Sequence, residues 1–116
     1  MDLLAANTKP FAWLTTRGRT TGRDREVELW WSTDGTTVYL ISGGGDRSHW
    51  VRNLLAQPRA TLRFTEDSVE VTARLPLLDP AERDVAAAVL ADKYGRDRAA
   101  WEKRAYLIAL DVSDDA

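Results

Sequence analysis

The stretch Leu14-Thr-Thr-Arg-Gly-Arg-Thr-Thr-Gly-Arg-Asp-Arg25, running on into Glu26-Val-Glu-Leu-Trp-Trp31, decides how this chain is read. Hydrophobic runs flank a polar loop that holds Arg17, Arg19, Arg23 and Arg25, with hydroxyls from Thr15, Thr16, Thr20 and Thr21. Gly18 and Gly22 let that loop turn and bring its backbone close to a partner. Beyond it, Val27, Leu29 and Trp31 share one face and Glu26, Glu28 and Trp30 the other, the period of a half-buried strand. Fixed guanidinium forks, hydroxyls and free N–H groups suit a phosphate. The same arginines would equally serve as solvated hairpin charges paired with Glu26 and Glu28.

Working outward, residues 2–8 predict a short helical turn ended by Pro10, and Phe11 to Thr16 a buried strand. Ser32-Thr-Asp-Gly35 ends in a hairpin signal, with Thr37 to Ile41 as the return strand. Ser42-Gly-Gly-Gly-Asp46 leads into a helix that Asp46 can cap. Trp50, Val51, Leu54 and Leu55 form its buried stripe, and Pro58 stops it. Ala60 to Phe64 and Val69 to Leu75 alternate and join through Glu66-Asp67. Asp79, Pro80 and Glu82 spell a capping-box helix start; Val85, Ala86, Val89 and Leu90 supply the apolar face, and Gly95 the close. Asp97 to Lys103 suggests a further short helix, and Ala105 to Val112 the last strand. The order β-β-β-α-β-β-α-β predicts one domain over residues 1–116. Its class is mainly β (α+β): a six-stranded antiparallel split barrel with two or three peripheral helices. Repeated βα alternation is absent, which excludes a Rossmann sheet.

A length of 116 residues fits one core, and 44% hydrophobic with 29% charged residues is an ordinary globular balance. No apolar run approaches the roughly 20 residues of a membrane span. The N-terminus lacks the basic start and apolar core of a signal peptide, so a cytoplasmic location is expected. Without cysteine there is no disulfide, thiolate metal site or thiol nucleophile. Sixteen basic against 18 acidic side chains argue against a general nucleic-acid binder and make the arginine cluster a local site.

Three pieces could meet: the 17–25 loop, the Ser42–Asp46 glycine turn and the helix start. Three consecutive glycines suggest close backbone approach, and a helix start attracts anions. No Gly-Lys-Ser/Thr follows, so the turn is not a P-loop. Trp50 and Asn53 lie near one helix face; Asn53 could bond a ligand edge, while Trp50 reads first as core. His49 is the only histidine and reads best as a surface residue; no metal site is expected. Hydrolytic triads and paired carboxylates lack support. Tyr94, before Gly95, is a weak candidate proton donor and reads more readily as a structural tyrosine. A site without its own acid–base machinery points to borrowed cofactor chemistry.

Leu14-Thr-Thr-Arg-Gly-Arg-Thr-Thr-Gly22, with Arg25 and Val27-Glu-Leu-Trp30, resembles the opening motif of the deazaflavin-dependent nitroreductase family. Ser42-Gly-Gly-Gly-Asp-Arg-Ser-His-Trp-Val-Arg-Asn-Leu-Leu-Ala-Gln-Pro58 resembles its second motif, and the likeness covers nearly the whole chain. The resemblance implies an FMN-binding-like split barrel and the deazaflavin coenzyme F-420 as hydride carrier, with FMN as the alternative. It implies that Arg19, Thr20, Thr21, Gly22 and Arg25 hold the coenzyme's phosphate and acidic tail. Ser42, Gly43, Gly44, Gly45 and Asp46 would line the ring and ribityl chain, supported by Trp50 and Asn53. Many relatives carry lysine where Thr20 and Gly43 stand, which shifts anion binding towards Arg17, Arg23 or Arg47. The expected partner is a small hydride acceptor such as a quinone or nitro compound. A homodimer is expected from an exposed sheet face carrying Trp30 and Val71.

Overall fold

The computed structural model describes residues 2–75, 78–95 and 106–113. The arginine stretch folds as read: Ala12–Arg17 (β1) and Asp24–Leu29 (β2) pair antiparallel, with Ala12 opposite Leu29 and Arg17 opposite Asp24. Alternation decides the faces, so Ala12, Leu14 and Thr16 turn into the barrel and Arg17 turns out.

The expected single strand from Arg25 to Trp31 is two. Pairing stops at Trp30, and Trp31–Thr33 (β3) joins Thr37–Ser42 (β4) instead, giving seven described strands rather than six. The sheet order is β2-β1-β5-β6-β7-β4-β3, with β5 Arg59–Arg63, β6 Ser68–Arg74 and β7 Tyr106–Val112. Its two margins, β2 and β3, are separated in sequence by Trp30 alone, so the sheet must curl until they meet there. The cause of the break is Tyr94. Its ring stacks on Trp30 (centroids 4.6 Å apart, planes within 9°), and its hydroxyl accepts the Trp31 N–H at 3.0 Å. That N–H is thereby satisfied outside the β ladder.

Inside the curl lie Leu14, Leu29, Trp31, Leu40, Leu62, Phe64, Ile108 and Leu110, all buried. Leu3 of α1 (Leu3–Ala6) and Val51 and Leu54 of α2 (His49–Ala56) complete this core. Burying Val51 and Leu54 contributes roughly 1.5–3 kcal/mol each, which holds α2 against the barrel. A second cluster, Tyr39, Ala86, Ala87, Leu90, Leu107 and Ala109, seats α3 (Pro80–Tyr94) on the outer face.

Several local expectations are corrected. Asp46 caps no helix: Gly45–Arg47 forms a 3-10 turn, and Ser48, in extended conformation, is the residue before α2. The helix therefore starts later than expected and buries Val51, Asn53 and Leu54, leaving Leu55 exposed. Asp79 does cap α3, accepting from the Glu82 N–H at 2.8 Å, and Gly95 closes it with φ of 72°. The Glu82 carboxylate does not complete a capping box. It binds Arg74 and the Tyr39 hydroxyl, and Arg74 also grips Asp111 at 2.6 Å, so α3 is tied to β4, β6 and β7. Val85 faces outward because α3 buries Ala86, Ala87 and Leu90. Val71 is not exposed: β6 turns Val71 and Ala73 inward, removing it from the sheet face on which dimerisation was expected. The Asp97 to Lys103 helix lies outside the described residues. Among the described residues no helix is long and apolar enough to cross a membrane, and no cluster of His, Asp and Glu could hold a metal ion.

Candidate cofactor site

The β1–β2 loop is shaped by its own backbone. The Gly18 N–H donates to the Arg23 carbonyl and the Gly22 N–H to the Gly18 carbonyl, both at 2.8 Å. Gly22 takes φ of 70°, which favours glycine. A Cβ on Gly18 would stand 2.9 Å from the Arg23 carbonyl oxygen, so that position is closed to larger residues. These bonds leave the N–H groups of Thr20 and Thr21 without an internal acceptor among the described residues.

This loop lies against the first turns of α2. Arg19 makes the join: Nη1 donates to Asn53 Oδ1 at 2.8 Å, and Nη2 lies 3.3 Å from His49 Nδ1. Between loop and helix runs a groove of about 730 Å³. The loop and β2 line it with Gly18, Arg19, Thr20, Thr21, Arg25, Glu26 and Val27, and the helix start with Ser48, His49, Trp50 and Asn53.

Of the residues expected at the site, the groove brings together Arg19, Thr20, Thr21, Arg25, Trp50 and Asn53. Gly22 shapes the loop without lining the groove. Arg17 lies outside it, in a separate hollow with Asp24, Arg59 and Glu70 on the outward sheet face. Ser42, Gly43, Gly44, Gly45 and Asp46 are also absent from the groove wall. The Ser42 hydroxyl bonds the Gly45 carbonyl and the Ser48 hydroxyl, both at 3.0 Å, which folds the turn onto the start of α2. Gly44 packs so closely that a Cβ would sit 2.6 Å from Ser48 Oγ, whereas a Cβ on Gly43 would meet nothing within 4 Å. The turn thus adjoins the groove through Ser48.

Tyr94 is committed elsewhere. Besides accepting from Trp31, its hydroxyl faces the carbonyls of Pro10 at 2.7 Å and Trp31 at 2.9 Å, and burial raises its pKa. These bonds hold it at the sheet corner, outside the groove wall.

Sequence reasoning placed Asn53 at the site but read His49 as a surface residue, although helical spacing from Asn53 could have added it to the groove. His49 and Asn53 stand four apart, on one helix face, and both meet Arg19. Tyr106, opposite Ser42 in the ladder, carries a buried hydroxyl with no hydrogen-bond partner among the described residues; burial first and the Asp46 charge second raise its pKa.

An antiparallel half-barrel with a short helix packed on its core and an arginine-lined groove beside that helix has the architecture of a split barrel. Solved structures agree on the fold. The heme storage protein HutZ of Vibrio cholerae superposes with a TM-score of 0.77 at 13% identity, covering 98% of this chain and 92% of that one. An F420-H2 dependent reductase gives 0.69 at 24% identity, covering 90% and 95%. A structure described as a 5-nitroimidazole antibiotic resistance protein of Bacteroides thetaiotaomicron gives 0.74 at 11%, covering 97% and 78%. At these identities the likeness fixes the fold alone. The sequence is more specific: residues 4–113 match the family described as F420H(2)-dependent quinone reductase, and the chain belongs to that family.

Proposed function

We propose that this protein is an oxidoreductase that binds reduced coenzyme F-420 in the loop–α2 groove and passes its hydride to a small acceptor such as a quinone or nitro compound. The observation that carries this reading is the groove itself, in which the donors of Arg19, Thr20, Thr21 and Arg25 share one lining with the apolar Val27 and Trp50. Arg19, Arg25 and the N–H groups of Thr20 and Thr21 suit a phosphate and an acidic tail, and Gly22 shapes the turn that presents them. Neither Arg19 nor Arg25 is in an ion pair among the described residues, so their charge is available to an anion. Trp50 and Val27 offer a surface for a flat ring. The glycine turn from Ser42 to Asp46 would meet the coenzyme only beyond the groove wall, next to Ser48, where a Cβ on Gly43 would meet nothing within 4 Å.

When bound, the coenzyme supplies the hydride; the protein binds and orients it and excludes water. The chain needs no strong acid or base for that task. The family match makes FMN unnecessary as the cofactor. Titrating the protein with F-420 and following the coenzyme's fluorescence tests the reading. Saturable binding, with oxidation of the reduced coenzyme on adding a quinone, is the expected result. No binding at micromolar protein rejects it. Saturable binding without turnover of any quinone or nitro acceptor would instead identify a carrier of the coenzyme.

A further inference from the structure

Asn53 is only 3% exposed, and the polar atoms of its carboxamide are engaged within the protein. Oδ1 accepts from the Arg19 backbone N–H at 3.2 Å and from Arg19 Nη1 at 2.8 Å; Nδ2 donates to Thr16 Oγ1 at 3.1 Å. Thr16 is itself buried on the inward face of β1. One side chain therefore braces three segments: α2, the strand that enters the loop, and the loop's central arginine. Two donors from a single arginine converge on one oxygen, which fixes both the backbone and the guanidinium of Arg19.

From this geometry we infer that Asn53 is a positioning residue: it presets Arg19 for an anionic ligand without touching that ligand. The inference rests on the groove being the binding site, and it reassigns Asn53 from a ligand contact to the brace behind one. The choice of amide over acid matters. A carboxylate at this position would accept the same two bonds, but it would also neutralise the arginine. Asparagine holds the guanidinium in place and leaves its positive charge for the ligand. On the helix side Arg19 Nη2 lies 3.3 Å from His49 Nδ1, and Nη1 also reaches the His49 carbonyl at 3.5 Å, so no carboxylate meets this guanidinium among the described residues.

Two variants separate geometry from charge. In Asn53→Ala, amide hydrogen exchange at Arg19 should accelerate by about tenfold or more, because that N–H loses its acceptor. In Asn53→Asp the protection of Arg19 should persist, while F-420 binding weakens by about tenfold or more, because the arginine is now compensated. A double-mutant cycle then asks through which residue Asn53 acts. Asn53→Ala should weaken F-420 binding in the natural background but by less than about twofold in an Arg19→Ala background. Equal losses in both backgrounds would mean that Asn53 meets the ligand directly and would overturn the inference, as would unchanged Arg19 exchange in Asn53→Ala. Should the natural protein fail to bind F-420 at all, the proposed function falls, yet the exchange measurement still decides whether Asn53 holds Arg19. If Asn53→Ala does not fold, Asn53→Asp alone decides: undiminished F-420 binding in it refutes the charge argument.

Discussion

Replacing Tyr94 by phenylalanine isolates one hydroxyl at the corner where the sheet margins meet. The ring and its stack on Trp30 remain; what disappears is the acceptor for the Trp31 N–H and the donor to Pro10 or Trp31. Trp31 is fully buried, so its N–H cannot turn to water and becomes an unsatisfied donor, at a cost of about 1–3 kcal/mol. The lost donation to a more exposed carbonyl adds about 0.5–1.5 kcal/mol. A total near 2–3 kcal/mol should lower Tm by about 10 °C in a chain of this size. Differential scanning calorimetry reads the stability, and a fluorescence titration reads F-420 affinity, which should stay within about twofold because Tyr94 does not line the groove. An unchanged Tm together with abolished hydride transfer would refute this account and return Tyr94 to the chemistry.

Other perturbations read other parts of the molecule. Arg19→Ala should weaken F-420 binding by about 1.5–3 kcal/mol, the worth of a charged hydrogen bond, as measured by fluorescence titration; an unchanged Kd would remove Arg19 from the site. Gly18→Ala must push against the Arg23 carbonyl and should distort the loop and weaken binding. Gly43→Ala meets nothing within 4 Å, so its Tm should hold, and any loss of affinity in it would mark close approach of the ligand to the turn. Lys93 lies over the Trp31 ring at 4.1 Å, and burial lowers its pKa to about 8 from 10.5. A base whose folded pKa is depressed is bound to more protons in the unfolded chain between those values. Unfolding free energy from denaturant titration should therefore rise between about pH 8 and 10.5, and Lys93→Met should abolish that rise. Tyr106→Phe removes a buried hydroxyl that has no partner among the described residues, so its Tm should stay level or increase slightly by calorimetry.

Much of this was legible in the residues. The alternation of Arg25 to Leu29, the Asp34-Gly35 turn and the Asp79-Pro80 start are local signals, and each appears where its chemistry places it. The break at Trp30 was not legible, because it depends on a tyrosine 64 positions further on in sequence order, roughly the distance over which local patterns carry no information. Asp46 misled for a related reason. An acidic residue after glycines fits a helix start by pattern, but the Ser42–Ser48 hydroxyl pair winds the turn into a 3-10 segment first. At the site, the loop's arginines and threonines were readable by type. The role of Asn53 was not, since an asparagine facing a ligand and one facing an arginine look alike in sequence.

The two outermost strands have a consequence for how the molecule behaves among its own copies. Open margins of a sheet invite addition by another chain. Here one margin bears Asp24, Glu26 and Glu28, and the other is a ribbon of three residues whose Ser32 hydroxyl is tethered to the Val89 carbonyl of α3. Because both run into the same tryptophan, neither can peel away without dragging the other, and end-to-end stacking of sheets is discouraged by the covalent chain itself.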